Sequence, residues 1–306
     1  MAMVNRRRFL QGAAGAVGGV FALGSYSTVV EAGLRLELTP YALSPPSWPE
    51  DITLKIAVIA DIPACEPWMS AERVASIVDL ANAQQPDLTV LLGDFVGNHR
   101  FVTGYVAPGA WAAELARLEA PLGVYSVLGN HDWWTAAIPS NPPDSGRSVR
   151  KALAEAGIPV LENQALRLSK NGKPFWLVGL GDQLALRPGR FEARGVDDLD
   201  EALRQINDNA PAILLAHEPY IFPRVPDRVA LTLCGHTHGG QVYIPLVGAP
   251  FTSRTHGKYI YGCYSEGPRQ LVVSGGLGES FAPVRFMRPP EVVRLTVTGN
   301  NPRQNV

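Results

Sequence analysis

Six side chains able to hold a metal ion stand at the ends of five apolar, β-prone runs. Leu54-Lys55-Ile56-Ala57-Val58-Ile59-Ala60 runs into Asp61, and Leu88-Thr89-Val90-Leu91-Leu92 into Gly93-Asp94. Val124-Tyr125-Ser126-Val127-Leu128 stops on Gly129-Asn130-His131-Asp132. Ile213-Leu214-Leu215-Ala216 leads to His217, and Val229–Cys234 to Gly235-His236-Thr237-His238. Two carboxylates, an amide oxygen and three imidazoles supply oxygen and nitrogen donors but no thiolate. That set suits Mn, Fe or Zn rather than a structural zinc knot or a calcium site. The donors are too many for one tetrahedral ion. Two divalent ions roughly 3.5–4 Å apart, sharing a carboxylate, would use them all and would activate water for in-line attack on phosphorus. His131, next to the amide, is placed to hydrogen-bond or protonate whatever the ions bind.

Each residue also has a plainer role. Asp61 and Asp94 can cap the helices that follow them. His236 and His238 can be alternating strand residues, although the glycines on either side favour a turn that presents both rings. His217 can be a satisfied core histidine, so its role as a ligand rests on the set. His99 and His256 read as surface or loop histidines. Trp133 and Trp134 are expected to pack, with an apolar leaving-group pocket as the alternative. Asp182, after Gly181, fits either a loop or a partner of the ligands.

The elements that must position these residues alternate. Ser70 is an N-cap for a helix with Val74, Ile77, Val78 and Ala81 on one face. Further helices are expected around Trp111 to Leu118, Val149 to Ala156 (closed by Gly157) and Leu199 to Ile206. Strands are expected at Leu34 to Leu38, Phe175 to Leu180, Gln270 to Ser274 and Val292 to Val297. In α/β sheets, ligands gather outside the carboxyl ends of the strands, so five strand endings can converge on one rim.

The order Asp61, Gly93-Asp94, Gly129-Asn130-His131-Asp132, His217, Gly235-His236-Thr237-His238 resembles the calcineurin-like metallophosphoesterase superfamily. Gly239-Gly240-Gln241, Gly276-Leu277-Gly278, Arg285 and Pro290-Glu291-Val292 resemble its exported bacterial phosphodiesterase-like branch. The resemblance covers about residues 50 to 298. It implies an α/β fold, a four-layer αββα sandwich of two mixed β-sheets flanked by helices. It also implies a phosphohydrolase, a phosphodiesterase foremost, in which a hydroxide bridging two divalent ions (Mn, Fe or Zn) attacks in line. On this resemblance Asp94 bridges the metals, Asp61 and His238 hold the first, and Asn130, His217 and His236 hold the second. His131 is the general acid, with Asp132 orienting it.

One position departs from the pattern. The superfamily's first motif is Asp-x-His, and here it reads Asp61-Ile62-Pro63. Proline cannot ligate, so the first metal loses a protein ligand. Water, Glu66 or Cys65 can fill the place and leave a weakened site. Alternatively, one metal binds tightly, or the chain is a catalytically weak or silent exported protein that binds metal or phosphate.

The first residues have a different character. Asn5-Arg6-Arg7-Arg8-Phe9-Leu10-Gln11 precedes the small, uncharged run Gly12 to Gly24, with Val30-Glu31-Ala32 before Gly33. These are the basic, apolar and small-residue parts of a twin-arginine export signal. The expected division is a signal over residues 1–32 and a metallophosphoesterase domain over 33–306. The protein is then periplasmic or bound to the cell envelope. Cleavage after Ala32 is the expectation, and retention as an anchor, with peripheral membrane association, is the alternative.

The 306 residues carry a formal net charge of −1, and 46% are hydrophobic. No basic field points to a specific nucleic-acid partner, which ranks a nuclease low. Phosphoesters of the cell envelope, including lipid-derived ones, are the substrates that export suggests. The three cysteines, Cys65, Cys234 and Cys263, fit neither a disulfide framework nor a CxxC site.

Overall fold

The computed structural model describes residues 6–97, 100–134, 145–189, 192–252 and 257–299. His99 and His256 lie outside the described residues. The apolar runs form two mixed sheets. The first has the order β1 (Glu37–Leu43), β11 (Glu291–Val297), β2 (Leu54–Ile59), β3 (Leu88–Leu91), β4 (Val124–Ser126). The second has the order β9 (Gly262–Glu266), β10 (Arg269–Val273), β8 (Val229–Cys234), β7 (Ala212–Leu215), β6 (Lys173–Gly179), β5 (Gln164–Lys170).

Strand alternation sorts the side chains into layers. On β2, Ile56 and Val58 face the second sheet and join Leu88, Val90, Phe175, Leu177, Ile213, Leu231 and Leu233. Ala57 and Ile59 face outward and meet Val74, Ile77 and Val78 of α2 (Ala71–Asn82), with Trp111 and Leu153 beyond. A third cluster packs Val178 and Leu214 against Leu199, Ala202, Ile221 and Phe222. Helix, sheet, sheet and helix make the four expected layers.

The local expectations hold where capping and periodicity agree. Ser70 accepts a hydrogen bond from the Arg73 N–H at 3.3 Å, and α2 buries Val74, Ile77, Val78 and Ala81. The helix expected around Trp111 runs Pro108–Leu115, because a proline is favoured in a first turn that needs no N–H. The opening strand lies at 37–43 rather than 34–38. It tolerates Pro40 because β1 is an edge strand. The edge strand β5 was not foreseen, since its residues are only half-buried.

At the amino-terminal side, helix α1 (Arg6–Ser25) leaves Val17, Val20 and Phe21 exposed. Leu10–Leu34 is long and apolar enough to cross a membrane by length and composition. The segment Tyr26–Leu34 continues it as a π-helix and buries Ser27, Glu31 and Ala32. The Ser27 carbonyl accepts from the Arg285 N–H at 3.0 Å, and the Glu31 carboxylate from the Arg288 N–H at 2.8 Å. The Arg73 guanidinium donates to the carbonyls of Gly33 (2.7 Å) and Arg35 (2.6 Å). Residues 27–35 are therefore knitted into the body.

Candidate metal centre

The carboxyl ends of β2, β3 and β4 in one sheet meet those of β7 and β8 in the other, and the six expected ligands come together there. The ligand atoms of Asp94, His217 and His236 lie within 4.8 Å of one another, as do those of Asp61, Asp94 and His238. Asp94 belongs to both groups. Asn130 joins the first, with its Oδ1 3.0 Å from His236 Nδ1. All six lie in the interior or close to it. Four of them hold left-handed backbone: Asp61 (φ 55°), Asp94 (φ 59°), His236 (φ 70°) and His238 (φ 50°). Such a conformation costs a non-glycine residue about 1–3 kcal/mol and persists only where the surroundings enforce it.

Each imidazole is fixed from behind. His217 Nδ1 lies 2.6 Å from the Leu92 carbonyl, which can only accept, so the ring donates there and turns Nε2 to Asp94 at 3.2 Å. His238 Nδ1 donates to the Gly278 carbonyl at 2.9 Å and turns Nε2 toward Asp61. His236 places Nε2 3.0 Å from the Tyr220 hydroxyl, which leaves Nδ1 beside Asn130. A ring held through its far nitrogen is the arrangement that orients a metal ligand. The donor set fits two divalent cations, and Asp94 is the carboxylate that both groups would share.

The charges explain why cations suit this place. Burial pushes Asp61 up to about 7. Burial pushes on Asp94 too, yet the His217 and His131 rings hold it well below the ordinary carboxylate value. Burial works against a charged His217, but Asp94 overrules it and keeps the ring protonated well above its usual value. His238 is lowered to about 3, by burial first and by Arg285 second. A cation entering this centre displaces protons.

His131 stands half-buried on the wall of a small cavity shared with Pro63, Asp94, Val96, His238, Glu279 and Ser280. Its N–H donates to Asp94 at 2.8 Å, and the Trp134 ring meets it edge-on at 5.3 Å. Asp132 lies fully buried beneath the turn that carries His131. Its carboxylate accepts from the N–H groups of Asp94 (3.0 Å), Gly129 (2.9 Å) and Phe95 (2.8 Å), and not from the His131 ring. Asp132 positions His131 through the backbone, while Trp134 packs against the ring. Trp134 also donates to the Leu184 carbonyl at 3.1 Å, and Trp133 packs under the Arg150 guanidinium.

The later motifs form the floor of the first pocket. Gly276 (φ +68°) passes so close to Asp61 that a Cβ would lie 2.6 Å from its Oδ2. Arg285 is fully buried and donates to the carbonyls of Gly275 (3.0 Å), Gly278 and Arg288 (2.9 Å). Glu291 accepts from the Gly275 N–H at 2.7 Å. Gln241 ties the adjoining loop by accepting from the Ser280 N–H and donating to the Ala282 and Val284 carbonyls.

Of the groups considered for the place Pro63 leaves, Glu66 is exposed. Cys65 is packed in the helix-side core, and burial pushes its thiol up to about 12. Cys65, Cys234 and Cys263 form no disulfide among the described residues. Sequence reasoning missed Glu279, which is only 3% exposed and faces the centre. It also missed Tyr220, which no motif marks, and the pairing of Asp182 with Glu218 behind His217. Both of these carboxyls are buried and raised by that burial, and a hydrogen bond between them requires a shared proton.

Comparison with known proteins agrees with this geometry. An uncharacterized metallophosphoesterase of Bacillus subtilis, YkuE, is 30% identical over 98% of this chain and 100% of its own. An uncharacterized metallophosphoesterase of Aquifex aeolicus is 29% identical over 90% of this chain and 97% of its own. The phosphodiesterase YaeI of Escherichia coli is 29% identical over 96% of this chain and 99% of its own. The profile of the calcineurin-like phosphoesterases matches residues 54–240, which span every candidate ligand and the acid between them. The chain belongs to the calcineurin-like phosphoesterase family.

Proposed function

We propose that this phosphoesterase is a phosphodiesterase that works at a membrane surface of the cell envelope. The observation that carries the chemistry is Asp94, shared by two groups of ligands with His131 on the cavity wall beside it. Asp61 and His238 would hold the first divalent cation, and Asn130, His217 and His236 the second. When bound, the pair supplies an activated water and neutralises charge on the phosphoryl oxygens. His131 delivers a proton to the leaving oxygen from a ring packed on Trp134, in a residue whose backbone N–H is held by Asp94.

A phosphodiester substrate is supported by the similarity to the Escherichia coli phosphodiesterase. An apolar neighbour of the phosphate is supported by Phe251 and Phe281. Both are exposed, their centroids are 6.3 Å apart, and they line a cleft with His236, His238 and Gln241. The test uses purified full-length protein with Mn²⁺ on an aryl phosphodiester, an aryl phosphomonoester and a phospholipid. We expect the diester to be the better aryl substrate. No turnover of any of the three would favour the silent, binding-protein reading that Pro63 motivates.

The membrane location is supported by the packing of the residues after α1. A twin-arginine substrate is exported folded, and in the fold Glu31 and Ala32 are buried with Arg73 on the neighbouring carbonyls. A peptidase would meet the Ala32-Gly33 bond inside the structure, so α1 stays attached as an anchor. A helix of this length spans about 30 Å, the thickness of the hydrocarbon layer. Its root at Ser27 bonds to Arg285, and Phe286 bonds in turn to Gln241 and Tyr243. That chain of contacts joins the anchor to a rim bearing exposed Ile244, Leu246, Val247 and Met287. Intact mass and membrane fractionation of the exported protein test this. A soluble product beginning at Gly33 would rule it out.

A further inference from the structure

The departure at Pro63 has a counterpart across the first pocket. The Pro63 ring lies directly on Gly278, where a Cβ would come within 2.2 Å of its Cγ and Cδ. Gly278 is itself clamped: its N–H donates to the Asp61 carbonyl at 2.8 Å, and its carbonyl accepts from His238 Nδ1 at 2.9 Å. The next residue, Glu279, is thus fixed beside two ligands of the first cation. Its side chain is 3% exposed and lines one cavity with Pro63, Asp94, His131 and His238. The nearest cationic group, Arg285 Nε, is 3.7 Å from Glu279 Oε1, beyond hydrogen-bond range. No hydrogen bond to this carboxylate is found among the described residues. A buried carboxylate that faces a cavity walled by ligands, with only a loose ion pair behind it, is a cation ligand by its chemistry.

Resting on the two-cation reading above, we propose that Glu279 supplies the ligand that Pro63 cannot, so that its carboxylate joins Asp61, Asp94 and His238 around the first cation. The carboxylate stands outside the 4.8 Å group of Asp61, Asp94 and His238 while sharing their cavity. Binding therefore draws the side chain away from Arg285 and into the cavity. Three carboxylates and one imidazole make this pocket a harder site than the second and favour Mn²⁺ over Zn²⁺ there.

The test is Mn²⁺ binding to metal-stripped full-length protein, read as ions per chain and affinity by calorimetry and by the electron paramagnetic resonance of free Mn²⁺. Wild type should bind two ions. Glu279→Gln should weaken one of them by about 10–100-fold or more, the range set by loss of a neighbour that orients a ligand. Glu279→Asp keeps the charge facing Arg285 and shortens the reach, so it should fold and still weaken the same ion. Pro63→His combined with Glu279→Gln should restore the weakened first ion, which a role confined to balancing Arg285 would not allow. Two ions bound as tightly in both Glu279 variants as in wild type would overturn the proposal. If wild type binds one ion that His217→Ala abolishes and Glu279→Gln leaves alone, Glu279 is no ligand although the family reading stands. If wild type binds none, both fall.

Discussion

The two halves of the metal centre share Asp94 and differ in almost everything else. The second pocket is built from an amide and two imidazoles, each ring held from behind by a group that never touches the ion: Leu92 for His217, Tyr220 for His236. The first is built from a carboxylate and one imidazole over a floor of glycines, with a buried arginine beneath. Where the second pocket depends on neighbours that orient neutral rings, the first depends on balancing buried charge. The difference shows how one sheet rim can hold two cations of different character. It also locates the departure at Pro63 in the half where another carboxylate is within reach.

The largest effect should come from the residue the halves have in common. Asp94→Ala is expected to empty both pockets, taking bound metal from two ions per chain toward none, whereas His217→Ala should empty one. Retention of one tight ion in Asp94→Ala would show that the pockets are independent. Next comes His131→Ala, expected to slow turnover by roughly 10²–10⁴-fold, the usual worth of a general acid, at unchanged metal content. An unaltered rate would move the acid elsewhere. Tyr220→Phe should then weaken only the second pocket's ion, by about 10–100-fold. A weakening confined to the first ion would reverse the assignment of pockets.

The smallest effect separates the halves by pH. Burial pushes both Asp61 and Glu279 up to about 7, from ordinary values near 4. The native state therefore keeps protons that the unfolded chain has released, and metal-free stability is lost as pH rises from about 4 through 7. His238, lowered to about 3, works the other way up to its ordinary value near 6.5 and offsets part of this fall, while His217, raised, contributes fully below 6.5 and is lost above it. The melting temperature of metal-free protein should fall by several degrees between pH 4 and 7, on the order of 1 kcal/mol or more. Asp61→Asn should flatten that slope and His217→Asn should not. Equal flattening by both would erase the distinction.

Much of this was legible in the sequence because chemistry and period coincide there. Five apolar runs ended on candidate ligands because strands deliver their carboxyl-end residues to the rim, and Ser70 capped a helix whose buried face followed its spacing. What stayed hidden depends on contacts made across the chain. Asp132 looked like a partner for the adjacent ring, but its oxygens reach back to backbone amides 37 and 38 residues earlier. Glu279 follows a glycine turn and carries no sign of burial in its own surroundings. It faces the centre only because Gly278 is pinned to Asp61 and His238. The strand β5 lacked an apolar run because an edge strand needs only half of one.

The left-handed backbone at Asp61, Asp94, His236 and His238 bears on how such a protein can change over evolutionary time. Aspartate, asparagine and histidine are among the few residues other than glycine that enter this region readily. Here the backbone and the metal select the same residue types for separate reasons. A lineage that stopped using metal would still be discouraged from placing valine or isoleucine at these four positions. Its path of least resistance would be aspartate to asparagine, which keeps the fold and discards the charge. Ligand-like residues at such positions are therefore weak testimony to activity. The two candidate ligands without that backbone constraint, Asn130 and His217, are the better witnesses.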